Sequence, residues 1–223
     1  MMMLKPISKS ETARYMGVKG VPNAQIMDII DRFEPIVREK MRPKYVYRKT
    51  IINFKENGLF LDGLNVSLDG NDIKKHLSGC QEAIVMAVTL SEEADKLIRQ
   101  TAVTNMAEAL AVDCLCSSAV EQVCDRAEEE IFSVIKAPYR TWRFSPGYGD
   151  FPLDIQKDLL LFLNAQRRIG LTATKNSLLL PSKSVTAIIG ISENPVNRGK
   201  KGCESCKMKG NCAFSAIGKT CQR

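Results

Sequence analysis

Apolar residues recur at helical spacing after Pro22. Ile26, Ile29, Ile30, Phe33 and Val37 share one face, and Pro35, inside the same pattern, is expected to kink or end the helix. Residues 45–54 are rich in aromatic and β-branched types and read as a strand. Gly58 then punctuates the chain before Leu59 to Leu61. Leu64, Val66 and Leu68 alternate with polar residues and predict a second, half-exposed strand, followed by a short helix over 71–77. Residues 83–90 are apolar almost throughout and read as a buried strand. Ser91-Glu92-Glu93 supplies an N-cap and an acidic first turn.

From there a helical pattern runs to about Lys136, with a break expected at 101–104 and a stop at Pro138. Ala107, Ala109, Ala111, Ser117, Ser118 and Ala119 make this helix slender, so a sheet or another backbone can pack close to it. Asp150 reads as an N-cap and Pro152 as a first-turn residue of a helix to about Ile169, with Gly170 just past its end. Two further strands, 178–180 and 185–191, flank Pro181. Strands early and late around long central helices predict an α+β fold with a mainly antiparallel, twisted sheet.

Charge and cysteine content divide the chain at about residue 195. The net charge is +7, but residues 198–223 hold seven cations and one anion, leaving the body nearly neutral. Of eight cysteines, Cys80, Cys114, Cys116 and Cys124 are scattered, whereas Cys203, Cys206, Cys212 and Cys221 cluster in that basic tail. The expected organisation is therefore a 1–195 domain and a 196–223 Cys-rich tail. Such a cluster in a reducing compartment argues for metal or redox chemistry. Four thiolates suit structural zinc or an iron–sulfur cluster, although the later spacings fit neither a zinc ribbon nor a common ferredoxin run. Cys114 and Cys116 point about 200° apart on a helix and read as small buried hydrophobes, not a chelate. No apolar run is long enough to span a bilayer, no stretch reads as a signal peptide, and a cytoplasmic location is expected.

The chemistry concentrates in Arg143-Phe144-Ser145-Pro146-Gly147-Tyr148. Arginine grips a carboxylate with two parallel hydrogen bonds, and glycine lets a ligand lie against main chain. The run reads either as a small-molecule cradle or as a tight loop whose arginine caps the preceding helix.

These residues, the helix after them and the segment 179–187 together resemble the activation domain of cobalamin-dependent methionine synthase. The likeness extends upstream through Ala87-Val88-Thr89 and the helix from Ala109 to Glu121, and covers roughly 83–191. It implies binding of S-adenosylmethionine, with Arg143 on the ligand's carboxylate and the backbone of Ser145 and Gly147 close to it. Tyr148 would cover the adenosine or face the corrin. The family's helix glutamate falls near Ser117, a departure, and Glu121, one turn later on the same face, takes its place as the expected acidic partner. The implied activity is reductive methylation of cob(II)alamin, reactivating a separate methionine synthase that lacks its own activation domain.

Cobalamin would belong to that partner. The only histidine, His76, has Lys74 where a cobalamin module's motif needs aspartate, and reads as a surface or helix-end residue. An electron donor is also required, and activity would belong to the assembled complex. A second reading is a reactivator of another corrinoid methyltransferase, with the tail cluster passing the electron. A third, a nucleic-acid-binding protein with a Cys-rich finger, is disfavoured by the nearly neutral body.

Overall fold

The computed structural model describes residues 3–18, 20–56 and 58–196. The Cys-rich tail, with the expected metal ligands Cys203, Cys206, Cys212 and Cys221, lies outside them. In chain order the elements are α1 (Lys9–Tyr15), α2 (Ala24–Lys40), β1 (Lys44–Lys55), β2 (Gly58–Leu61), α3 (Asn71–Leu77), β3 (Glu82–Thr89) and α4 (Glu92–Thr104). Then follow α5 (Met106–Val134), β4 (Tyr139–Arg140), α6 (Gln156–Leu163), α7 (Ala165–Ile169), β5 (Thr172–Ala173), β6 (Leu179–Leu180) and β7 (Ser184–Ser192).

Five strands form an antiparallel sheet in the order β2-β1-β3-β7-β4, and β5 and β6 make a separate small hairpin. The fold is α+β with long helices, as the pattern predicts. Alternate residues of β3 serve opposite cores. Ile84, Met86 and Val88 meet α1, α2, α4 and α5, whereas Ala83, Val85 and Ala87 meet α3, α6 and α7. Burial on both faces explains why this strand is apolar without alternation. Of the small residues of α5, Ala109, Ala111, Ser118 and Ala119 are buried as expected, whereas Ala107 is exposed and Ser117 half-buried.

Several local expectations are corrected. The helix survives Pro35 and continues to Lys40, because Pro35 faces solvent and the carbonyl it leaves without a donor, on exposed Asp31, can be hydrated. Leu64 to Leu68 form no strand. Leu64 and Leu68 are buried, but their backbone bonds to the neighbouring edge strand are a turn closed by Leu64 N on Leu61 O at 3.0 Å and a single bond from Leu68 N to Leu59 O at 2.7 Å, not a ladder. Ser91 gives α4 no side-chain cap; its hydroxyl donates instead to the Arg42 carbonyl at 2.6 Å. The helix expected over 150–169 starts only at Gln156 and breaks at Asn164, whose left-handed backbone (φ 51°) separates α6 from α7.

Candidate functional site

The 143–150 segment is built as a turn anchored at both ends. Tyr148 N donates to Ser145 O at 3.0 Å, Pro146 occupies the second turn position, and Gly147 takes the third with φ 90°. A Cβ on Gly147 would lie 3.5 Å from Leu153 Cδ1, an ordinary contact, so the positive φ rather than crowding calls for glycine. Gly149 is different: φ is 53°, and a Cβ there would collide with the Asp72 carboxylate. Asp150 does not cap the helix after it. Its carboxylate accepts from Asn71 N (2.7 Å) and Asp72 N (2.9 Å), so it caps α3, whose own N-cap position is Gly70 and has no side chain to offer.

The direction of Arg143 is decided by strand register. Arg140 stands opposite Ile191, and Phe144 stands opposite Ile188, so the segment before the turn carries one residue more than β7 does over the same span. This is a β-bulge. Ile191 and Ile188 belong to opposite cores. Without the extra residue, position 143 would face α3. With it, Phe144 and Trp142 face α3, and Arg143 projects across the other face onto α5.

There Arg143 meets three carboxylates. Nη1 lies 2.8 Å from Glu128 Oε2, and Nη2 lies 2.7 Å from Asp125 Oδ1 and 3.5 Å from Glu121 Oε2. The arginine side chain is 16% exposed and Glu128 18%, against 54% for Asp125 and 46% for Glu121. Burial opposes the guanidinium charge, but the surrounding negative groups and the Asp125 hydrogen bond outweigh it and raise its pKa further. Arg143 therefore stays charged throughout the accessible range, and it does not cap the preceding helix.

Asp113, Ser117, Glu121 and Asp125 repeat every four residues and form one stripe along α5. At the upper end Lys183 Nζ binds Asp113 at 2.8 Å and Ser117 Oγ at 3.0 Å, and at the lower end Arg143 binds Asp125 and Glu128. Glu121 lies between the two fixed cations and is the least tightly held carboxylate of the group. Its charge reaches two aromatic hydroxyls: burial first and Glu121 second push Tyr148 and Tyr15 above the usual tyrosine value. Tyr148 packs against Phe144 and Trp142, at 5.9 and 6.2 Å between ring centres. The loop before β7 is also clamped, with Asp95 of α4 accepting from Ser182 N at 3.0 Å and from its hydroxyl.

Residues 77–196 match the family model described as vitamin B12 dependent methionine synthase, activation domain. The chain belongs to this family. Its fold also matches a crystal structure of the MetH reactivation domain bound to AdoHcy, with a TM-score of 0.65 and 13% identity, over 96% of this chain and 82% of that one. Comparison with curated proteins gives no match.

In this activation domain, Arg143, Glu121 and Tyr148 are gathered at one place, and Ser145 and Gly147 form the turn carrying Tyr148. Sequence reasoning missed Asp125 and Glu128, although their spacing from Glu121, four and seven residues, places all three on one helix face. Its reading of His76 as a surface or helix-end residue holds only in the second part. That residue lies in the last turn of α3, but it is buried, 4.8 Å from the ring centres of both Trp142 and Phe144, with Nε2 2.8 Å from the Trp142 carbonyl. The four body cysteines are buried and free. Burial pushes Cys80 and Cys114 up to about 11 and Cys116 to about 12, so these thiols stay protonated and act as packing atoms. Among the described residues no helix is long and apolar enough to cross a membrane.

Proposed function

We propose that this activation domain binds S-adenosylmethionine between the Arg143 turn and the acidic stripe of α5, and presents its methyl group to a cobalamin-dependent methionine synthase carried on a separate chain. With one electron from a donor, the methyl converts the partner's cob(II)alamin to methylcobalamin, and S-adenosylhomocysteine leaves. The residues here supply binding and orientation, with no acid–base step.

One observation carries the reading: a fixed arginine and a loosely held glutamate of α5 stand 3.5 Å apart. S-adenosylmethionine has the complementary pair, a carboxylate beside an ammonium and a sulfonium. Its carboxylate takes the outer guanidinium edge from half-exposed Asp125, while the more buried Glu128 keeps Arg143 aimed. Glu121 then faces the cationic centres. Tyr148 offers its exposed ring to the rest of the ligand.

Calorimetry with S-adenosylmethionine tests this. Arg143→Ala should weaken binding at least tenfold, about 1.4 kcal/mol. Asp125→Ala, which removes only the competing carboxylate, should bind as tightly as the parent or tighter. Unchanged affinity in Arg143→Ala would sink the site assignment. Transfer is tested by mixing the protein with cob(II)alamin-loaded partner, reductant and methyl-labelled S-adenosylmethionine; absence of labelled methylcobalamin would refute the partner half of the reading.

A further inference from the structure

The bulge that turns Arg143 toward α5 frees backbone groups that a regular ladder would pair. Phe144 and Ile188 exchange both of their backbone bonds at 2.9 Å, and Thr141 N donates to Gly190 O at 2.9 Å. Between these points Gly190 N donates to the Thr141 hydroxyl at 2.8 Å instead of to a backbone carbonyl. The Trp142 carbonyl, on the extra residue's side, receives His76 Nε2 at 2.8 Å. The same imidazole packs against both rings that flank Arg143 in sequence, Trp142 and Phe144, which are themselves 5.1 Å apart.

His76 can do this because α3 is tied to the turn at its other end too. Asp150 binds the first two amides of α3, and Asp72 Oδ2 accepts from Asp150 N at 3.1 Å. The helix is a short strut, with one end fixed to the far side of the turn and the other holding the bulge. Leucine or phenylalanine at position 76 could fill the space between the rings. Neither could donate to a carbonyl; the half-buried Trp142 carbonyl would lose its 2.8 Å donor and keep the longer Thr141 hydroxyl contact at 3.4 Å, and that loss weakens the bulge. Losing it restores regular register and swings residue 143 to the α3 face.

We infer that His76 is a positioning residue: by donating to the Trp142 carbonyl and packing between Trp142 and Phe144, it holds the bulge that aims Arg143 at α5 and the ligand. The ligand part of this inference rests on the function proposed above, whereas the aiming of Arg143 does not. Two variants of the full chain separate the roles. His76→Phe keeps an aromatic ring and loses the donor; His76→Gln carries a side-chain amide N–H near the Nε2 position.

The Arg143 guanidinium resonances, assigned by their loss in Arg143→Ala, report the ion pair without any ligand. Trp142, the only tryptophan, reports the His76 contact through its emission. In His76→Phe the Arg143 resonances should shift or broaden, Trp142 emission should change, and affinity for S-adenosylhomocysteine should fall about tenfold or more. In His76→Gln the Arg143 signals and an affinity within about threefold of the parent should return. Unaltered Arg143 resonances in a folded His76→Phe protein would overturn the inference, as would a Gln variant no better than Phe. If the parent itself fails to bind S-adenosylhomocysteine while His76→Phe still disturbs Arg143, the proposed ligand is wrong and the positioning role stands.

Discussion

Gly190→Ala is a sharp test of how the sheet and α3 are fitted together. Gly190 sits in β7 opposite Ala83 and faces the α3 side. A Cβ there would lie 2.5 Å from Cys80 Sγ, 3.0 Å from Leu77 Cδ2 and 3.2 Å from Cys80 Cβ. Both neighbours are buried, and Cys80 has no long flexible arm, so the strain cannot be relieved by swinging a side chain into solvent. Overpacking of this kind costs about 1–3 kcal/mol. For a chain of this size that corresponds to a thermal midpoint lower by roughly 2–12 °C. Adding Cys80→Ala removes the sulfur, the worst contact, and leaves the two milder ones, so the double variant should recover more than half of the loss. The coupling between the substitutions should exceed about 0.5 kcal/mol. Thermal unfolding followed by circular dichroism measures all three variants. A Gly190→Ala midpoint equal to the parent's, or strictly additive effects, would refute the packing argument. Because Leu77 follows His76 directly and Cys80 four residues later, the single variant should also alter Trp142 emission.

Two further outcomes are expected. Asp150→Ala removes the N-terminal cap of α3 and should cost about 0.5–2 kcal/mol of stability, measured by denaturant unfolding; no loss would refute the capping role. Tyr45 donates to Glu130 Oε2 at 2.9 Å, and burial, then that bond, push its hydroxyl up to about 12. A raised phenol pKa means the folded state prefers the protonated form. The Tyr45 contribution should therefore be complete below about pH 10 and vanish as pH rises toward about 12, and Tyr45→Phe should flatten that limb of the stability profile.

Much of the fold was legible in the chain because periodicity reports burial directly. The continuous apolar run of β3, the amphipathic α2 and the slender α5 each had one physical reading, and the structure agrees. The Arg143 segment was also legible as a turn, since Pro146-Gly147 permits few alternatives. What could not be read was partner choice. Leu64 and Leu68 alternate like a strand, but whether a neighbour pairs with them depends on where the sheet ends. Asp150 has the right chemistry for a cap, yet the helix it serves lies nearly eighty residues earlier in the chain. Ser91 likewise spends its hydroxyl on the Arg42 carbonyl.

Arg143 shows the division most clearly. Its type, its turn and its resemblance to the activation domains are properties of the sequence. Its direction is not, because side chains alternate along a strand and one extra residue between Arg140 and Phe144 reverses the face. That insertion is visible only when the segment is laid against β7. Local sequence determined which groups were available for chemistry, through size, charge and backbone freedom. Tertiary structure decided which of them meet, because register and packing join residues whose separation along the chain carries no record of the contact.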